Sequence, residues 1–368
     1  MTAEMLHDPE VSQKLVVKLA GTVCNIDCTY CFEKEKKLDF ASFMTPDVLA
    51  RALSGIDKPI ELLFHGGEPL LIGEAVFQQM LEVVRTYRDK VRTVSIQTNG
   101  TLLDESWIKL LFETYQDLDM QISISLDGTP EMNKLRITYS GKPTFASVRQ
   151  AFALLATVDR QAGLLSVIGR HSLTHAGEYV EFLLSIPNLK FVKINPLYDS
   201  EPGALRPDSI TPSQFTEFLK RVAIEWVNRK GFARFPMEPL LSYIQQLKGV
   251  GSRFCHFNRR KCLNFSTLYP DGRMGICDNF SAREFPAAFA ESESFRGELE
   301  LLARSEVTAP FREMLEKCRQ CEILPLCQGG CLSQRLYFLR NVPVLYEEYC
   351  EHRKEMFRFV HTLLDAEG

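Results

Sequence analysis

The sequence lacks the features of membrane, secreted and nucleic-acid-binding proteins. No apolar run in its 368 residues approaches the roughly 20 residues of a transmembrane helix. The first residues have neither the basic start nor the apolar core of a signal peptide. The formal net charge is only -4, so no excess of positive charge indicates a nucleic-acid or membrane partner. We therefore expect a cytoplasmic protein that binds neither nucleic acid nor membranes.

Internal repeats and low-complexity segments are also missing, which excludes solenoid and largely disordered architectures. With 45% hydrophobic and 24% charged residues, the composition is that of an ordinary globular protein, and the length allows two or three domains. The strand–helix rhythm ends near Pro236 and Pro239. We predict a short lead-in over residues 1–13, a first domain over 14–235 and a second over 236–368.

Cysteine, by contrast, is abundant, with 11 residues. In a reducing compartment such a number indicates metal binding or catalysis rather than disulfides. Cys24, Cys28 and Cys31 have the spacing C-x3-C-x2-C. A closed zinc site uses four ligands, whereas three thiolates on a four-iron cluster leave one iron open to a small molecule. A zinc knuckle or three unrelated buried thiols are the alternatives.

Strand and helix patterns alternate from the start of the first domain. Predicted strands lie near residues 15–20, 60–64, 93–97, 120–126, 164–168 and 190–194. Predicted helices begin at Pro46 and cover residues 74–88, 104–115, 145–158, 176–185 and 212–228. Such alternation indicates parallel strands joined by right-handed crossovers. The sequence thus predicts an α/β fold, an open partial (β/α)6 TIM barrel rather than a closed eight-stranded one.

Polar residues follow the predicted strands, where the active groups of such sheets lie. His65-Gly66-Gly67-Glu68 follows the second strand, and Asn99 follows the third. The two glycines could let the backbone approach a ligand closely, and the carboxylate could meet an ammonium group. Alternatively, the segment is a tight turn with a solvated glutamate. Further candidates, each of which could instead be a strand-end or surface polar group, are Ser123, Ser125 and Arg136.

The cysteine spacing, together with Gly66-Gly67-Glu68, resembles the signature of the radical S-adenosylmethionine (SAM) superfamily. The resemblance implies that Cys24, Cys28 and Cys31 hold a [4Fe-4S] cluster whose open iron binds SAM. An electron from this cluster would cleave SAM to methionine and a 5′-deoxyadenosyl radical. It also implies SAM-binding roles: Gly66, Gly67 and Glu68 toward the amino group, Asn99, Ser123 and Ser125 toward the ribose or carboxylate, and Arg136 toward the carboxylate.

The remaining eight cysteines lie in the C-terminal third. Cys262 and Cys277 flank Gly272 in the order C-x9-G-x4-C, and a C-x2-C-x5-C-x3-C run starts at Cys318. This spacing resembles the SPASM extension of radical SAM enzymes and implies two auxiliary [4Fe-4S] clusters, three in all. The resemblance assigns one cluster to Cys255, Cys262, Cys277 and Cys331, and the other to Cys318, Cys321, Cys327 and Cys350. Two four-cysteine zinc sites would satisfy the same count.

Asp278 follows Cys277 at the end of a predicted hairpin that turns at Asp271-Gly272-Arg273. In similar anaerobic sulfatase-maturating enzymes, an aspartate at this place is the proposed base that deprotonates the substrate side chain. The alternative is a carboxylate bonded to nearby backbone. The charge run Glu33-Lys34-Glu35-Lys36-Lys37 is predicted to be a solvated loop.

The resemblance implies oxidative modification of a peptide or protein side chain, with an electron donor such as flavodoxin or ferredoxin. His65 before the glycines favours peptide crosslinking, through a carbon–carbon (cyclophane) or thioether bond, because sulfatase maturases often carry glutamine there. Conversion of Ser or Cys to formylglycine in a sulfatase is the alternative. A multi-cluster electron carrier or a zinc-binding scaffold belongs to another class, and neither would need Gly66-Gly67-Glu68.

Overall fold

The computed structural model describes residues 12–36, 42–258, 265–280, 286–287 and 306–367. The chain divides into two compact units. The first comprises Met1–Ser125, Arg136–Val158 and Cys262–Ala309, and the second comprises Leu126–Leu135, Asp159–Lys261 and Pro310–Gly368. Among the described residues, no helix is both long and apolar enough to cross a membrane.

The first unit is built on a parallel sheet. Its first four strands are β1 (Gln13–Lys18), β2 (Ile60–His65), β3 (Val91–Thr98) and β4 (Gln121–Ser125), and they pair in parallel in this order. Its helices are Phe32–Glu35, Pro46–Ser54, Glu74–Thr86, Glu105–Lys109 and Phe145–Thr157, with a π-helical turn at Leu110–Thr114 and 3-10 turns at Pro69–Ile72, Gln116–Leu118 and Glu306–Thr308. Buried side chains such as Leu15, Phe64 and Phe77 form the core between sheet and helices.

The second unit contains strands β5 (Ala162–Ile168) and β6 (Leu189–Pro196), which pair in parallel. Its other strands are Met237–Glu238, parallel to β6, and the antiparallel pair Ser200–Glu201 and Ala204–Leu205. Its α-helices are Ala176–Leu184, Pro212–Asn228, Leu240–Leu247, Ala309–Cys318, Leu324–Cys327, Leu332–Asn341 and Val344–Glu367. Its 3-10 turns are Arg170–Ser172, Gly231–Ala233 and Cys255–Phe257.

The predicted alternation of six strands and helices is confirmed, and the fold is α/β with a partial parallel sheet. The helix Pro212–Asn228 begins with a capping box, in which Thr211 and Gln214 satisfy each other's backbone N–H groups. The helix predicted over residues 104–115 is shorter than expected. It starts at Asp104, whose carboxylate accepts from the Trp107 N–H, but changes to a π-helical turn at Leu110.

One strand of the C-terminal third belongs to the first unit's sheet. Phe265–Leu268 pairs in parallel with β1, and Met274–Gly275 then pairs with it antiparallel, as the predicted hairpin requires. Met274–Gly275 in turn pairs antiparallel with Pro286–Ala287. Gly272 has a φ of +85° in the turn, a conformation that glycine adopts without strain. The hairpin therefore delivers Cys277 and Asp278 to the sheet that also carries the N-terminal cysteine loop.

His352 is a buried histidine that we expect to make the second unit acid-sensitive. Its Nδ1 lies 2.6 Å from the Thr216 hydroxyl oxygen, across the contact between helices Val344–Glu367 and Pro212–Asn228. Burial, aided by Arg353, lowers the pKa of His352 to about 3. Below its ordinary pKa the unfolded chain binds a proton that the folded chain does not, so stability is lost as the pH falls from about 6.5 toward 3.

Because of His352, we expect the free energy of unfolding to fall by roughly 1.4 kcal/mol for each pH unit that the pH falls within this window. Chemical denaturation at several pH values between 7.5 and 5.5 should show wild type losing stability faster than His352→Gln. His361 lies on the same helix with its side chain 64% exposed, so His361→Gln is the matched control and should follow wild type. Parallel curves for wild type and His352→Gln would contradict the prediction.

Candidate active site

The N-terminal cysteine loop is held by the segment that precedes the helix Phe145–Thr157. The Asp27 N–H donates to the Ile137 carbonyl at 2.7 Å, and Ile26 forms a β-bridge with Thr138. The Arg136 guanidinium donates to the Tyr30 hydroxyl at 2.9 Å. Because these contacts fix the backbone of the loop on both sides of Cys28, the three thiols are presented by an ordered loop.

The thiol of Cys24 lies among hydrogen-bond donors. The Asn99 side-chain amide donates to Cys24 Sγ at 3.5 Å and to Asn25 Oδ1 at 2.8 Å. Burial raises the pKa of Cys24 to about 11, although the Ile26 N–H and the Asn99 amide oppose this rise. A bound metal ion would be needed to keep such a thiol ionised at neutral pH. The donor set of three cysteines with supporting amides therefore fits an iron–sulfur cluster.

Gly66 and Gly67 are required by contacts within the protein. Both have positive φ, +87° and +50°. A Cβ atom on Gly66 would lie 1.9 Å from Lys18 Cδ, and one on Gly67 would lie 1.8 Å from the Val23 carbonyl oxygen. The Glu68 N–H donates to this same carbonyl at 2.9 Å. The glycines thus join the loop after β2 to the segment just before Cys24.

Glu68 is completely buried, and its carboxylate accepts hydrogen bonds from three groups. The donors are the Leu70 N–H at 3.1 Å, the Thr98 hydroxyl at 2.7 Å and the Asn99 N–H at 2.7 Å. Burial raises the pKa of Glu68 to about 7, and these three donors limit the rise. The alternative of a solvated glutamate is therefore excluded. The carboxylate positions Asn99, which in turn contacts Cys24.

The other predicted SAM-binding residues lie in the same unit. Ser123 and Ser125 are half-buried on one face of β4, and Ser123 is in register with Gln97 of β3. Leu63 of β2 is in register with Ser95 of β3, which lies on the same face as Gln97. Because every second residue of a strand points to the same face, His65 lies on this face too. Arg136 is only 7% exposed, so it is not a surface arginine. Asn99 and Arg136 thus contact the cysteine loop, and Ser123 and Ser125 lie on the half-buried face of the sheet.

A group of charged side chains lies beside this face. It consists of Lys18, Glu33, Lys36, His65 and Asp278, all in the first unit, and is called the charge cluster below. The Lys18 ammonium contacts three acceptors: Glu33 Oε1 at 2.7 Å, His65 Nδ1 at 3.2 Å and the carboxylate of Asp278. An ammonium group has three N–H donors, so Lys18 can satisfy all three contacts at once.

Asp278 is the member that the sequence singled out as a base. Burial would raise the pKa of its carboxyl group, but the ammonium groups of Lys18 and Lys36 outweigh burial and hold it well below its usual range. Burial and Lys18 lower the pKa of His65 to about 4, so His65 is neutral at pH 7. Two ammonium and two carboxylate groups then balance, and the charge cluster is electrically neutral.

The prediction of a solvated loop for residues 33–37 is wrong for Glu33 and Lys36, whereas Lys34 is exposed. Glu33 is 4% and Lys36 is 9% exposed. Lys36 donates to Glu33 Oε1 at 2.7 Å and to the Asp278 carbonyl at 2.6 Å. Their burial has a physical reason. Glu33 and Lys36 are three residues apart on the short helix Phe32–Glu35 and its C-cap, so they pair with each other. Each also has an oppositely charged partner from elsewhere in the chain, Lys18 for Glu33 and Asp278 for Lys36. Sequence reasoning missed Lys18 and Lys36, and only a pairing of residues far apart in sequence would have revealed them.

His65 gives a test of the Lys18 geometry. A glutamine at this position has a carbonyl oxygen that can accept the Lys18 N–H in place of Nδ1, whereas leucine leaves a buried donor without an acceptor, at a cost of about 1–3 kcal/mol. We expect His65→Leu to have a thermal unfolding midpoint about 2–4 °C below that of His65→Gln. Equal midpoints for the two variants would show that Lys18 does not depend on this acceptor.

The C-terminal cysteines are distributed over both units. Cys277 belongs to the first unit, Cys255 and Cys331 belong to the second, and Cys262 lies outside the described residues. The four cysteines of the second predicted set, Cys318, Cys321, Cys327 and Cys350, all lie in the second unit. Cys350 interacts electrostatically with Cys318 and Cys327, and Lys354 does so with both Cys321 and Cys350. Two of these thiols also accept hydrogen bonds from buried arginines, Cys318 Sγ from Arg335 at 3.3 Å and Cys327 Sγ from Arg353 at 3.4 Å.

Residues 19–182, which contain the cysteine loop, Gly66-Gly67-Glu68 and Asn99, match the family model of the radical SAM superfamily. This segment of the chain is similar to radical SAM proteins. Two of its relatives are the cysteine-type anaerobic sulfatase-maturating enzyme of Clostridium perfringens, 28% identical over 95% of this chain and 96% of the relative, and the serine-type enzyme of Bacteroides thetaiotaomicron, 24% identical over 95% and 90%.

The fold of this chain is shared with a solved structure. "Native anSMEcpe with bound AdoMet and Cp18Cys peptide" superposes with a TM-score of 0.79 at 24% identity, covering 97% of this chain and 99% of that one. The match to the radical SAM family supports SAM and an iron–sulfur cluster as cofactors, and it favours an enzyme over the electron-carrier and zinc-scaffold interpretations. The crosslinking prediction gains no specific support, because the curated relatives above are sulfatase-maturating enzymes.

Proposed function

We propose that this enzyme oxidises a cysteine or serine side chain of a sulfatase to formylglycine. The observation that carries the proposal is the place of Asp278: its carboxylate lies 3.4 Å from His65 Nδ1, at the carboxyl end of β2 and next to the Gly66-Gly67-Glu68 loop. A proton acceptor is thereby held at the edge of the sheet where SAM is expected. The similarity to sulfatase-maturating enzymes over 95% of the chain supports this substrate class.

Cys24, Cys28 and Cys31 would hold the cluster to which SAM binds. When bound, SAM and this cluster supply the one-electron chemistry that removes a hydrogen atom from an unactivated C–H bond. Asn99 donates to Cys24, and Glu68 fixes Asn99, so these two residues orient the ligand loop. Ser123, Ser125 and Arg136 are proposed to bind the polar groups of SAM.

Asp278 would take the proton of the substrate thiol or hydroxyl. Because Lys18 and Lys36 hold the pKa of its carboxyl group low, Asp278 is ionised throughout the physiological pH range. The same ammonium groups make it a weak base, which accepts a proton only from a group that oxidation has already made acidic. The charge cluster would therefore couple proton removal to the preceding oxidation.

Two auxiliary clusters would accept the electron that remains on the substrate. We assign one to Cys255, Cys262, Cys277 and Cys331, and the other to Cys318, Cys321, Cys327 and Cys350. Three four-iron clusters would give about twelve irons per chain. The electron that starts the reaction would come from a flavodoxin or ferredoxin. We further propose that residues 14–235 form the domain that binds SAM and that residues 236–368 form the domain that holds the auxiliary clusters.

The test is anaerobic incubation with SAM, a reductant and four peptides, read by mass spectrometry. Two peptides carry Cys-x-Pro-x-Arg and Ser-x-Pro-x-Arg, a third carries alanine in place of the target residue, and the fourth is an aromatic-rich precursor. We expect the serine peptide to lose two hydrogens and the cysteine peptide to lose roughly eighteen mass units, as oxygen replaces sulfur. The alanine peptide should stay unchanged.

Modification of the aromatic-rich precursor alone, again by loss of two hydrogens, would replace formylglycine formation with crosslinking. That outcome would keep the radical chemistry and overturn the proposed substrate. Iron analysis of the same preparation checks the cofactors independently, because zinc with little iron would contradict the cluster assignment whatever the peptides show.

A further inference from the structure

Two buried arginines lie beside the cysteines of the second predicted auxiliary cluster. Arg335 is 2% and Arg353 is 3% exposed. Arg335 lies on the helix Leu332–Asn341, and Arg353 lies on the helix Val344–Glu367. Both are in the second unit. Arginine is rarely buried to this degree without a counter-charge, so the surroundings of the two guanidinium groups indicate what they bind.

The Arg335 guanidinium is held from several sides. Nη1 donates to Cys318 Sγ at 3.3 Å and to the Gly329 carbonyl at 2.9 Å. Nη2 donates to the Met314 carbonyl at 3.0 Å and to the Tyr346 hydroxyl at 2.6 Å. These four hydrogen bonds fix the plane of the Arg335 guanidinium, with one N–H directed toward Cys318 Sγ.

Arg353 approaches a second sulfur of the same set. Its Nε donates to Cys327 Sγ at 3.4 Å, and its Nη2 lies 3.4 Å from both the Cys327 and the His256 carbonyl oxygens. The guanidinium lies over the Phe257 ring, 3.9 Å from the ring centroid. The two arginines thus direct one N–H each toward Cys318 and Cys327.

Neither guanidinium has a carboxylate partner. Within the part of the chain that the structure describes, no Asp or Glu oxygen lies within 4.0 Å of Arg335 or Arg353. Two buried positive charges need compensation. Neutral thiols cannot supply it, but four thiolates on an iron–sulfur cluster carry a net negative charge. Cys350, which interacts electrostatically with Arg335, belongs to the same four.

We propose that Arg335 and Arg353 are positioning residues of the second auxiliary cluster, whose negative charge they compensate and whose reduction potential they raise. This inference rests on the cluster assignment made under the proposed function. Their N–H groups donate to ligand sulfurs, and both hydrogen bonds to sulfur and nearby positive charge favour the more negative, reduced form of a cluster. The second auxiliary cluster is thereby made the better electron acceptor.

The redox step needs no proton or bond change at the arginines. Cys318, Cys321, Cys327 and Cys350 would hold a cluster that is reduced by one electron, which adds one negative charge and requires no change in these ligands. In turnover the electron comes from the oxidised substrate side chain, and in a titration it comes from an added chemical reductant. The guanidinium groups stay protonated throughout, since arginine does not lose its charge in proteins.

The experiment is a redox titration followed by electron paramagnetic resonance. It uses full-length protein with Cys24, Cys28 and Cys31 replaced by alanine, so that only auxiliary clusters give signals. Arg335→Gln and Arg353→Gln are compared with Arg340→Gln and Arg358→Gln. The last two remove exposed arginines from the same two helices and serve as matched controls. Iron content and circular dichroism confirm that each variant is loaded and folded.

We expect Arg335→Gln and Arg353→Gln each to lower the midpoint potential of one auxiliary cluster, by at least a tenfold change in its reduction equilibrium, or about 59 mV. The controls should leave both potentials unchanged. Arg335→Lys and Arg353→Lys keep the charge but lose the planar fork, so they should give smaller shifts. If the glutamine variants lose their iron, the lysine variants provide the test of the potential instead.

Unchanged potentials in loaded Arg335→Gln and Arg353→Gln would overturn this inference while leaving the clusters and the proposed function intact. Loss of iron in both the glutamine and the lysine variants would assign the arginines to folding and overturn the tuning role. If the protein with Cys24, Cys28 and Cys31 replaced by alanine shows no auxiliary-cluster signal, both the inference and the cluster assignment are overturned. Formation of formylglycine by the wild-type protein is measured separately and tests the proposed function on its own.

Discussion

Replacing Cys24, Cys28 and Cys31 together with alanine should reduce 5′-deoxyadenosine formation to the background of a reaction without enzyme. The three thiols lie on the loop held by Ile137, Thr138 and Arg136. Without them the open iron that binds SAM is lost, whereas about eight of twelve irons should remain. Chromatography of the nucleoside product and iron analysis measure the two quantities.

The matched control removes the same number of cysteines from the C-terminal third. Cys318, Cys321 and Cys327 replaced by alanine should lower the iron content by a similar amount and retain SAM cleavage, because these residues belong to the other unit. Substantial 5′-deoxyadenosine from the N-terminal triple variant would refute the assignment of the SAM-binding cluster.

Asp278→Asn should lower product formation by about a hundredfold or more while 5′-deoxyadenosine is still produced, because the proton acceptor is removed and the residues expected to bind SAM are kept. The substitution also leaves Lys18 and Lys36 with Glu33 as their only carboxylate in the charge cluster. Breaking a buried ion pair from one side costs about 3 kcal/mol, so the single variant alone cannot separate catalysis from stability.

The double variant Asp278→Asn with Lys36→Met makes that separation. It removes one negative and one positive charge, so Lys18 and Glu33 remain as a balanced pair at 2.7 Å. We expect the double variant to regain much of the lost thermal stability without regaining product. If product returns together with stability, the carboxylate of Asp278 is structural and the base lies elsewhere.

The local features of the molecule could be predicted from the sequence. The six strands and the helix Pro212–Asn228 follow from periodicity and caps, and the hairpin before Cys277 follows from its turn residues. Cysteine spacing alone indicated the candidate metal-binding residues. Each of these signals lies within a few residues, where backbone propensity and chain geometry decide the outcome.

The charge cluster could not be predicted, because its members meet only in the folded chain. Lys36 and Asp278 are 242 residues apart. A lysine in a strand and a charged run after a cysteine are, by composition, most often solvated. Likewise, nothing local to residues 265–268 shows that this strand pairs with β1, and the direct contact of Gly66 with Lys18 depends on the same strand packing.

The pairing of β1 with Phe265–Leu268 has a consequence for synthesis on the ribosome. Until that strand emerges, β1 is an edge strand with unpaired backbone groups, which is an aggregation hazard. Lys18 and Lys36 also lack Asp278 until about three quarters of the chain has been made. A truncated chain ending near Phe235 should therefore accumulate as inclusion bodies, and recombinant expression of the N-terminal part alone is not a route to a smaller enzyme.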